Sequence, residues 1–341
     1  MRRLFLAAIA ALFVVGNMSA FTISDGEGNK VKISTKGVKV KASSGEEIVI
    51  SPVGVKVTDD NSTTVNINGE EVNASTDGER NTKTGIVLAS QNKIVVEARR
   101  SAMNFNEINA SKAIRVTVEE RTAGNIIVRA PQSIMPYVSL SVKDNTLYAT
   151  ILSGAPVSRN SNILADVYVP YNGQINEITT HSAARVIVKP TISCKELDLE
   201  ATSASVIEVS ASAKEVSIDA LGASHIKAEL ATDELDAEFS GASSITLSGQ
   251  VTNADIEVSG ASTLRADKLR AANIELDCSG ASKAYALGVN CSVEASGASA
   301  VIVECLSQLN ASASGASQII YSGDCKTNII RNSSASSIRK K

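Results

Sequence analysis

Aromatic side chains are scarce in this chain: Trp is absent, and aromatic residues make up only 3% of the 341 residues. Most ligand pockets are lined by apolar and aromatic side chains, so the sequence offers little for a sugar-binding platform. The hydrophobic 43% is carried instead by small and β-branched residues such as Ala, Val and Ile. This mixture favours many short β-strands with small side chains packed between them.

Long apolar runs are restricted to the N-terminus. Arg2 and Arg3 precede an apolar run over residues 4–15, and the small residues Ser19 and Ala20 close it. This is the layout of a secretory signal peptide cleaved after Ala20, and the run is too short to span a membrane. No second run of about 18 apolar residues follows, so we expect the mature, exported chain to have no transmembrane segment.

Basic residues are not in excess. The chain has 33 Lys and Arg against 36 Asp and Glu, and loss of the two arginines of the signal peptide leaves 31 against 36, a net charge of about −5. A surface of this sign repels phosphates, so we expect no nucleic-acid partner.

Metal and redox motifs are also missing. The two histidines, His181 and His225, have no third histidine or cysteine at a zinc-ligand spacing. The five cysteines include no Cys-x-x-Cys pair, and an odd number in an exported protein leaves at least one thiol unpaired. We therefore predict no metal site and no cofactor.

One motif of small residues is abundant. SGAS occurs five times, and with its weaker versions it gives nine motifs, which end at Ala184, Ser205, Ser224, Ser243, Ser262, Ser282, Ser299, Ser317 and Ser336. Successive motif ends lie 17 to 21 residues apart, with a mean of 19. A fixed period near 20 residues indicates a solenoid, in which each unit buries its apolar face by stacking on its neighbours.

The residues around each motif alternate between apolar and polar. Ala237-Glu238-Phe239 precedes one SGAS, and Ile245-Thr246-Leu247 follows it. Period-two alternation is typical of strands with one face inward. The sequence therefore predicts an all-β fold, a parallel β-helix with coils of about 19 residues, in which the SGAS repeats cover residues 182–336.

We interpret SGAS as a corner of this β-helix. Equivalent residues of successive coils stack about 4.8 Å apart, so a bulky side chain there would collide with its own copies. The glycines, such as Gly260, can take backbone angles closed to other residues, and we expect the serine hydroxyls to form a hydrogen-bonded ladder. Five equivalent serines without an oriented base are poor nucleophiles, so we predict no catalytic residue and no enzyme activity.

A column of acids precedes the motifs by two residues: Glu200, Asp219, Glu238, Glu257, Asp277 and Glu294. Alternation turns this column outward, and the simplest interpretation is a solvated face that keeps neighbouring molecules apart. A calcium ladder is an alternative, since hard cations bind several carboxylate oxygens, although no DxDxDG-type loop supports it. A retaining glycosidase also uses two carboxylates about 5 Å apart, but equivalent acids offer no division into acid and nucleophile.

A second outward column follows the motifs by three residues. It turns from charged to apolar along the chain: Glu208, Lys227, Thr246, Arg265, Tyr285, Ile302 and Ile320. We predict that Tyr285, Ile302 and Ile320 form an apolar patch about 10 Å long, of the kind that marks interfaces. The alternative is that the C-terminal coils turn or that the tail covers these residues.

The cysteines fall at different positions of the repeat. Cys278 occupies a core column together with Val258, so we expect a buried, inert thiol there. Cys291, Cys305 and Cys325 lie 9, 6 and 8 residues after their motifs. Neighbouring coils could bring two of these within disulfide range, and the unequal spacing leaves the pair open.

Longer stretches carry a family resemblance. The runs VVEARRSAMNFNEINASKAIRVTVEE, APQSIMPYVSLSVKDNTLYATI and VYVP, followed by tandem SGAS units, resemble the head GIN domain family of putative auto-transporter adhesins over roughly residues 90–341. The resemblance implies a right-handed parallel β-helix in the envelope of a Gram-negative bacterium, with adhesion as its role, and it supplies no catalytic residues. Unlike an auto-transporter, this chain is expected to have no membrane-spanning translocator segment.

These observations predict three segments and a function. We expect a signal peptide at 1–20, a β-rich N-terminal segment and linker at 21–85, and a head GIN-type β-helix at 86–341. The expected function is that of a non-enzymatic adhesin or interaction scaffold, in the periplasm, at the cell surface or secreted. Its expected partners are an envelope protein, a glycan or a second copy of the chain. The alternative is a carbohydrate-binding module or, with less support, a carbohydrate-cleaving one.

Overall fold

A computed structural model describes the chain at residues 104–121, 124–156, 163–333 and 335–341. Between residues 21 and 100 it describes strands, and side chains there only at Glu97 and Ala98. The signal peptide predicted at 1–20 lies outside the described residues. Strands make up 69% of the structure.

The strands up to residue 100 are β1 (Phe21–Ser24), β2 (Lys30–Ser34), β3 (Gly37–Lys41), β4 (Glu47–Ser51), β5 (Gly54–Thr58), β6 (Thr63–Ile67), β7 (Glu70–Ala74), β8 (Ile86–Ala89) and β9 (Lys93–Arg100). The next strands are β10 (Glu107–Ser111), β11 (Ile114–Glu119), β12 (Ile126–Pro131), β13 (Val138–Lys143), β14 (Thr146–Ile151), β15 (Ala165–Pro170), β16 (Glu177–His181), β17 (Arg185–Ser193), β18 (Glu196–Ala201), β19 (Val206–Ser212) and β20 (Glu215–Ala220). The last are β21 (His225–Phe239), β22 (Ser244–Val258), β23 (Thr263–Cys278), β24 (Lys283–Ala295), β25 (Ala300–Ala313), β26 (Gln318–Ser322), β27 (Lys326–Asn332) and β28 (Ser337–Lys340). A short 3-10 helix covers Met135–Tyr137.

The chain divides into two units. Residues 1–102, 124–138 and 152–167 form the first unit, and residues 103–123, 139–151 and 168–341 form the second. In the first unit, β1 to β5 form an antiparallel meander in which each strand pairs with the next. Strands β7, β8 and β12 all pair antiparallel with β9. The buried Glu97 carboxylate accepts a hydrogen bond from Arg129 Nε at 2.9 Å, which compensates the burial of its charge.

The second unit is a parallel β-solenoid of about eight turns with coils of about 19 residues, as predicted. Each coil contributes to two faces. Face 1 comprises β10, β16, β18, β20, the C-terminal halves of β21 to β25, and β27. Face 2 comprises β11, β17, β19, the N-terminal halves of β21 to β25, β26 and β28. Strand β14 pairs with β10 on the side opposite β16, so it covers that edge of face 1.

The core lies between the two faces and is built from the inward residues of every strand. One core column runs through Ala201, Ala220, Phe239, Val258, Cys278, Ala295 and Ala313, all at most 3% exposed. Phe239 is the largest fully buried side chain in the described part of the chain. The buried thiol predicted at Cys278 is confirmed, and burial raises its pKa to about 12, so that it stays protonated at neutral pH.

The SGAS corners take the backbone geometry that the sequence predicts. In each of the five, only the glycine has a positive φ, between 68° and 79°. A positive φ at the first central residue alone is typical of a type II′ turn, which needs glycine there. At the corner of Gly260, the Ser262 N–H donates to the Ser259 carbonyl at 3.3 Å and closes the turn.

Stacking of the corners adds a second requirement for glycine. The Ala261 N–H donates to the Gly241 carbonyl of the preceding coil at 2.7 Å. A Cβ placed on Gly260 would lie 2.5 Å from that same carbonyl oxygen, closer than real Cβ contacts come. The interpretation of SGAS as a structural corner is therefore confirmed.

The serine ladder forms only in part. The last serine of the motifs is buried, and Ser243 Oγ donates to Ser262 Oγ at 3.0 Å. At other corners the hydroxyl bonds to a backbone carbonyl of the preceding coil, as Ser299 Oγ does to Cys278 at 3.2 Å and Ser317 Oγ to Ala295 at 2.9 Å. The Ser224 and Ser282 hydroxyls are buried without a hydrogen-bond partner, so neither the serine ladder nor the carbonyl contact recurs at every corner.

The early corners use a different turn. Ser182 and Ala183 both have positive φ, at 52° and 63°, and Ser203 and Ala204 follow at 55° and 64°. Positive φ at both central residues is typical of a type I′ turn. Lys112 and Ala113 form a further corner of this kind, at 62° and 56°, between β10 and β11. The repeat count did not include this corner because it carries no SGAS-like motif.

Candidate functional site

Face 1 carries the predicted acidic column. Direct register pairs place its members one above another, in the order Glu200, Asp219, Glu238, Glu257, Asp277 and Glu294. Glu200 is half-exposed and the other five are exposed. The prediction that this column points outward is confirmed.

Two further columns on face 1 add seven carboxylates that the sequence analysis missed. They consist of Glu196, Glu215 and Glu234 in one column, and of Asp198, Asp236, Asp255 and Glu275 in the other. The same alternation placed them four and two residues before the first column, so the signal was present. We call these side chains, together with the six of the predicted column, the acidic face.

Few positive charges balance the acidic face. Lys195 Nζ lies 2.5 Å from Glu196 Oε1, and Lys214 Nζ lies 3.8 Å from Glu215 Oε1. Both pairs are solvent-exposed, and exposed pairs contribute little to stability. The face therefore keeps a strong negative potential along the solenoid.

An amide ladder continues the first of these columns towards the C-terminus. Asn253 Nδ2 donates to Glu234 Oε1 at 2.8 Å, Asn273 Nδ2 to Asn253 Oδ1 at 2.8 Å, and Asn290 Nδ2 to Asn273 Oδ1 at 3.0 Å. An open groove of about 830 Å³ runs over this ladder and the neighbouring acids. Its lining changes from carboxylates in the earlier coils to amides in the later ones.

Partial burial and, after it, charge repulsion raise the pKa of two members of the acidic face. Partial burial, followed by repulsion from Glu294, Glu275, Glu257 and Asp255, raises the pKa of Asp277. Partial burial and the charges of Glu196 and Asp219 raise the pKa of Asp198 in the same way. Both effects disfavour the ionised form in the folded state.

We expect Asp277→Asn to reduce the stabilisation that the protein gains on mild acidification. Because the folded-state pKa of Asp277 is raised, its favourable contribution is fully present below the unfolded-state pKa and is lost as the pH rises through the folded-state pKa. The variant should therefore raise the Tm at pH 7 by about 1 to 3 °C and flatten its rise between pH 7 and about pH 4.

The matched control is Asp267→Asn, which removes one exposed carboxylate outside the acidic face. Equal pH profiles of Tm for the two variants would contradict a repulsive acidic face. High salt should shrink the difference, since it screens exposed charges.

The arrangement of the acidic face bears on the calcium ladder that the sequence left as an alternative. Among residues 104–121, 124–156, 163–333 and 335–341, no group of three His, Cys, Asp or Glu side chains is arranged to hold a metal ion.

Face 2 brings together the three residues predicted as an interaction patch. Tyr285 pairs in register with Ile302, and Ile302 pairs with Ile320. All three are half-exposed. Arg265 and Lys283 lie 5.3 and 5.0 Å from the centre of the Tyr285 ring, within cation–π range. We call Tyr285, Ile302 and Ile320 the apolar patch; its role as an interface stays a prediction.

A smaller pocket near the first coils is rich in amides. Its volume is about 580 Å³, and Asn104, Asn106, Asn145, Gln174 and Asn176 line it, with Phe105, Cys194, Lys195 and Glu196. The Oδ1 atoms of Asn106 and Asn176 are buried without a hydrogen-bond partner. Amides both donate and accept hydrogen bonds, which suits ligands with several hydroxyl groups. We call this the amide pocket.

The chain matches one family model. The model for the putative auto-transporter adhesin, head GIN domain, matches residues 104–290, which include the first coils and the acidic face up to Glu275 and Asp277. No curated protein has a matching sequence. In the described part of the chain, no helix has the length and apolar character of a membrane span.

Three solved structures of similar fold are from Parabacteroides species. A putative adhesin from Parabacteroides merdae has 17% sequence identity and a TM-score of 0.56, over 74% of this chain and 97% of that one. A putative adhesin from Parabacteroides distasonis has 17% identity and a TM-score of 0.58, over 73% and 98%. A putative lipid binding protein from Parabacteroides distasonis has 16% identity and a TM-score of 0.55, over 72% and 96%. At these identities the likeness shows a shared fold.

Proposed function

Because the chain belongs to the head GIN domain family of putative auto-transporter adhesins, we propose that it is an exported, non-enzymatic scaffold that binds a partner at the cell envelope. The observation that carries this proposal is the stacking of the half-exposed Tyr285, Ile302 and Ile320 in register on three successive coils of face 2. Side chains stacked on successive coils offer a partner one continuous surface, whereas catalysis needs groups with different roles.

The apolar patch is the surface where we propose that the partner docks. The patch has half-exposed apolar side chains on three adjacent coils. Their burial by a partner would favour binding by about 25 cal/mol per Å² of apolar area. The acidic face supports the same arrangement, because like charges keep copies of the chain from associating along face 1. The family membership favours a partner of the envelope, either a protein or a glycan.

We expect the double variant Ile302→Asp, Ile320→Asp to abolish self-association or capture of envelope components. Two carboxylates in the apolar patch would have to be desolvated on docking, which is unfavourable. Sedimentation velocity measures self-association, pull-down from Gram-negative envelope extracts measures capture, and circular dichroism should show an unchanged β-solenoid.

The matched control is Thr246→Asp with Thr263→Asp, which adds two negative charges to face 2 outside the apolar patch. Equal sedimentation and capture by the wild type and the Ile302, Ile320 variant would dismiss the patch as an interface. Loss of capture by both double variants would point to net charge rather than to the patch.

The amide pocket favours carbohydrate binding as a second candidate function. The exposed side-chain amides of Asn104 and Gln174, which line the pocket, can both donate to and accept from sugar hydroxyls. Binding to a panel of purified glycans that survives in the patch variant but is lost in Asn104→Ala with Gln174→Ala would support this candidate. Both substituted residues are exposed, so the fold should be unaffected.

A further inference from the structure

Three of the five cysteines converge at one corner of the C-terminal coils. Strands β24 and β25 pair Gly288 with Cys305. A Cβ placed on Gly288 would lie 2.9 Å from Cys291 Sγ, so this sulfur lies directly against Gly288. Cys305, on the next coil, therefore stacks beside the Cys291 thiol in the interior.

The following coil adds the third thiol. A Cβ placed on Gly323 would lie 2.1 Å from the Cys305 carbonyl oxygen, so Gly323 stacks directly on Cys305. Cys325 is two residues further on, between Ser322 at the end of β26 and Lys326 at the start of β27. Cys305 is fully buried, whereas Cys325 is half-exposed.

The thiols interact through Cys305. Burial, followed by the neighbouring Cys305 thiol, raises the pKa of both Cys291 and Cys325. The Cys305 Sγ itself lies 3.0 Å from the Gln308 carbonyl oxygen, to which it donates. Cys325 is the member of the trio that a reagent in solution can reach.

The same coil carries two exposed large apolar side chains. Ile329 and Ile330, in β27, are 50% and 65% exposed. In the described part of the chain, β27 pairs with β25. A covalent link near its start would hold this strand against the preceding coil.

We propose that Cys305 and Cys325 form a disulfide when the protein meets a disulfide oxidant, and that this bond fastens β27 to the solenoid. The Cys325 thiolate attacks one sulfur of the oxidant and displaces a thiol, which gives a mixed disulfide. The Cys305 thiolate then attacks Cys325 Sγ and displaces the second thiol. Two protons and two electrons pass to the oxidant, which leaves as two thiols. The proposal does not depend on an adhesive function.

Titration of free thiols in the full-length protein with and without glutathione disulfide tests the proposal. The reduced protein has five free thiols, and oxidation should remove two of them, with mass spectrometry placing the link between the peptides of Cys305 and Cys325. The reaction should accelerate as the pH rises from about 7 to 9, because the raised pKa of Cys325 keeps it protonated at neutral pH.

Two variants distinguish a disulfide between Cys305 and Cys325 from other pairings. Cys325→Ser should retain every remaining thiol under oxidation, whereas Cys194→Ser, at a distant half-exposed cysteine, should still lose two. A link between Cys291 and Cys305, or no loss of thiols, would overturn the proposed pair. Amide hydrogen exchange in β27 should slow by about tenfold after oxidation, and an unchanged rate would overturn the fastening role.

Discussion

We expect Gly260→Val to lower the free energy of unfolding by about 3 kcal/mol or more. The residue has a φ of 69°, where a β-branched side chain is strained. Its Cβ would also lie 2.5 Å from the carbonyl oxygen and 2.9 Å from the nitrogen of Gly241. Both atoms belong to backbone that is fixed by the stack, so relief requires the coils to separate. Urea denaturation followed by circular dichroism measures the loss.

Two alanine variants separate strain from collision. Gly173 has a φ of 81°, yet no atom lies within 4 Å of a Cβ placed there. Gly173→Ala should cost only the strain of a positive φ, about 1 kcal/mol, whereas Gly260→Ala should cost clearly more. Equal effects of the two would show that stacking does not constrain the corner. An unchanged Tm for Gly260→Val would contradict the conclusion that this corner requires glycine.

Phe239→Ala is expected to have the second large effect, a loss of about 3 to 5 kcal/mol. Phe239 is fully buried, between Ala220 on one neighbouring coil and Val258 on the other. Alanine already occurs in this column, so the backbone accepts it, but the space of the ring would stay empty. The surrounding coils can close only partly around the cavity, so the contacts that the ring made with its neighbours are lost and stability falls.

The control for Phe239→Ala is Leu221→Ala, a truncation at a residue that is 38% exposed. It should change the free energy of unfolding by less than about 1 kcal/mol. Thermal and urea unfolding of both variants provide the comparison. A loss at Phe239 no larger than at Leu221 would mean that the interior collapses around the missing ring.

The sequence alone determined the solenoid, its period and its corners. These features are repeated locally: each coil must place inward residues at alternate positions, and each corner must fit the copy stacked on it. These two structural requirements therefore recur about every 19 residues. They are visible in the sequence as SGAS and as the alternation around Phe239 and Cys278. The outward acidic column and the stacking of Tyr285, Ile302 and Ile320 followed from the same register.

Other features depended on contacts between distant residues. The Lys112-Ala113 corner has no motif, and it is defined by the parallel pairing of β10 with β16, about 70 residues later in the chain. Residues 124–138 and 152–167 belong to the first unit although the second unit surrounds them in sequence. Strand pairing selects such partners among many in the chain, and local patterns do not encode the choice.

Only the tertiary structure decided which side chains share a corner or a face. The register between neighbouring strands shifts after Ala266 and after Gly288, so counting from the motifs cannot align Cys291, Cys305 and Cys325. Stacked coils of unequal length nevertheless bring these thiols together. The amide ladder arises in the same way, because alternation gives the direction of each side chain, whereas lateral neighbours are set by how the coils stack.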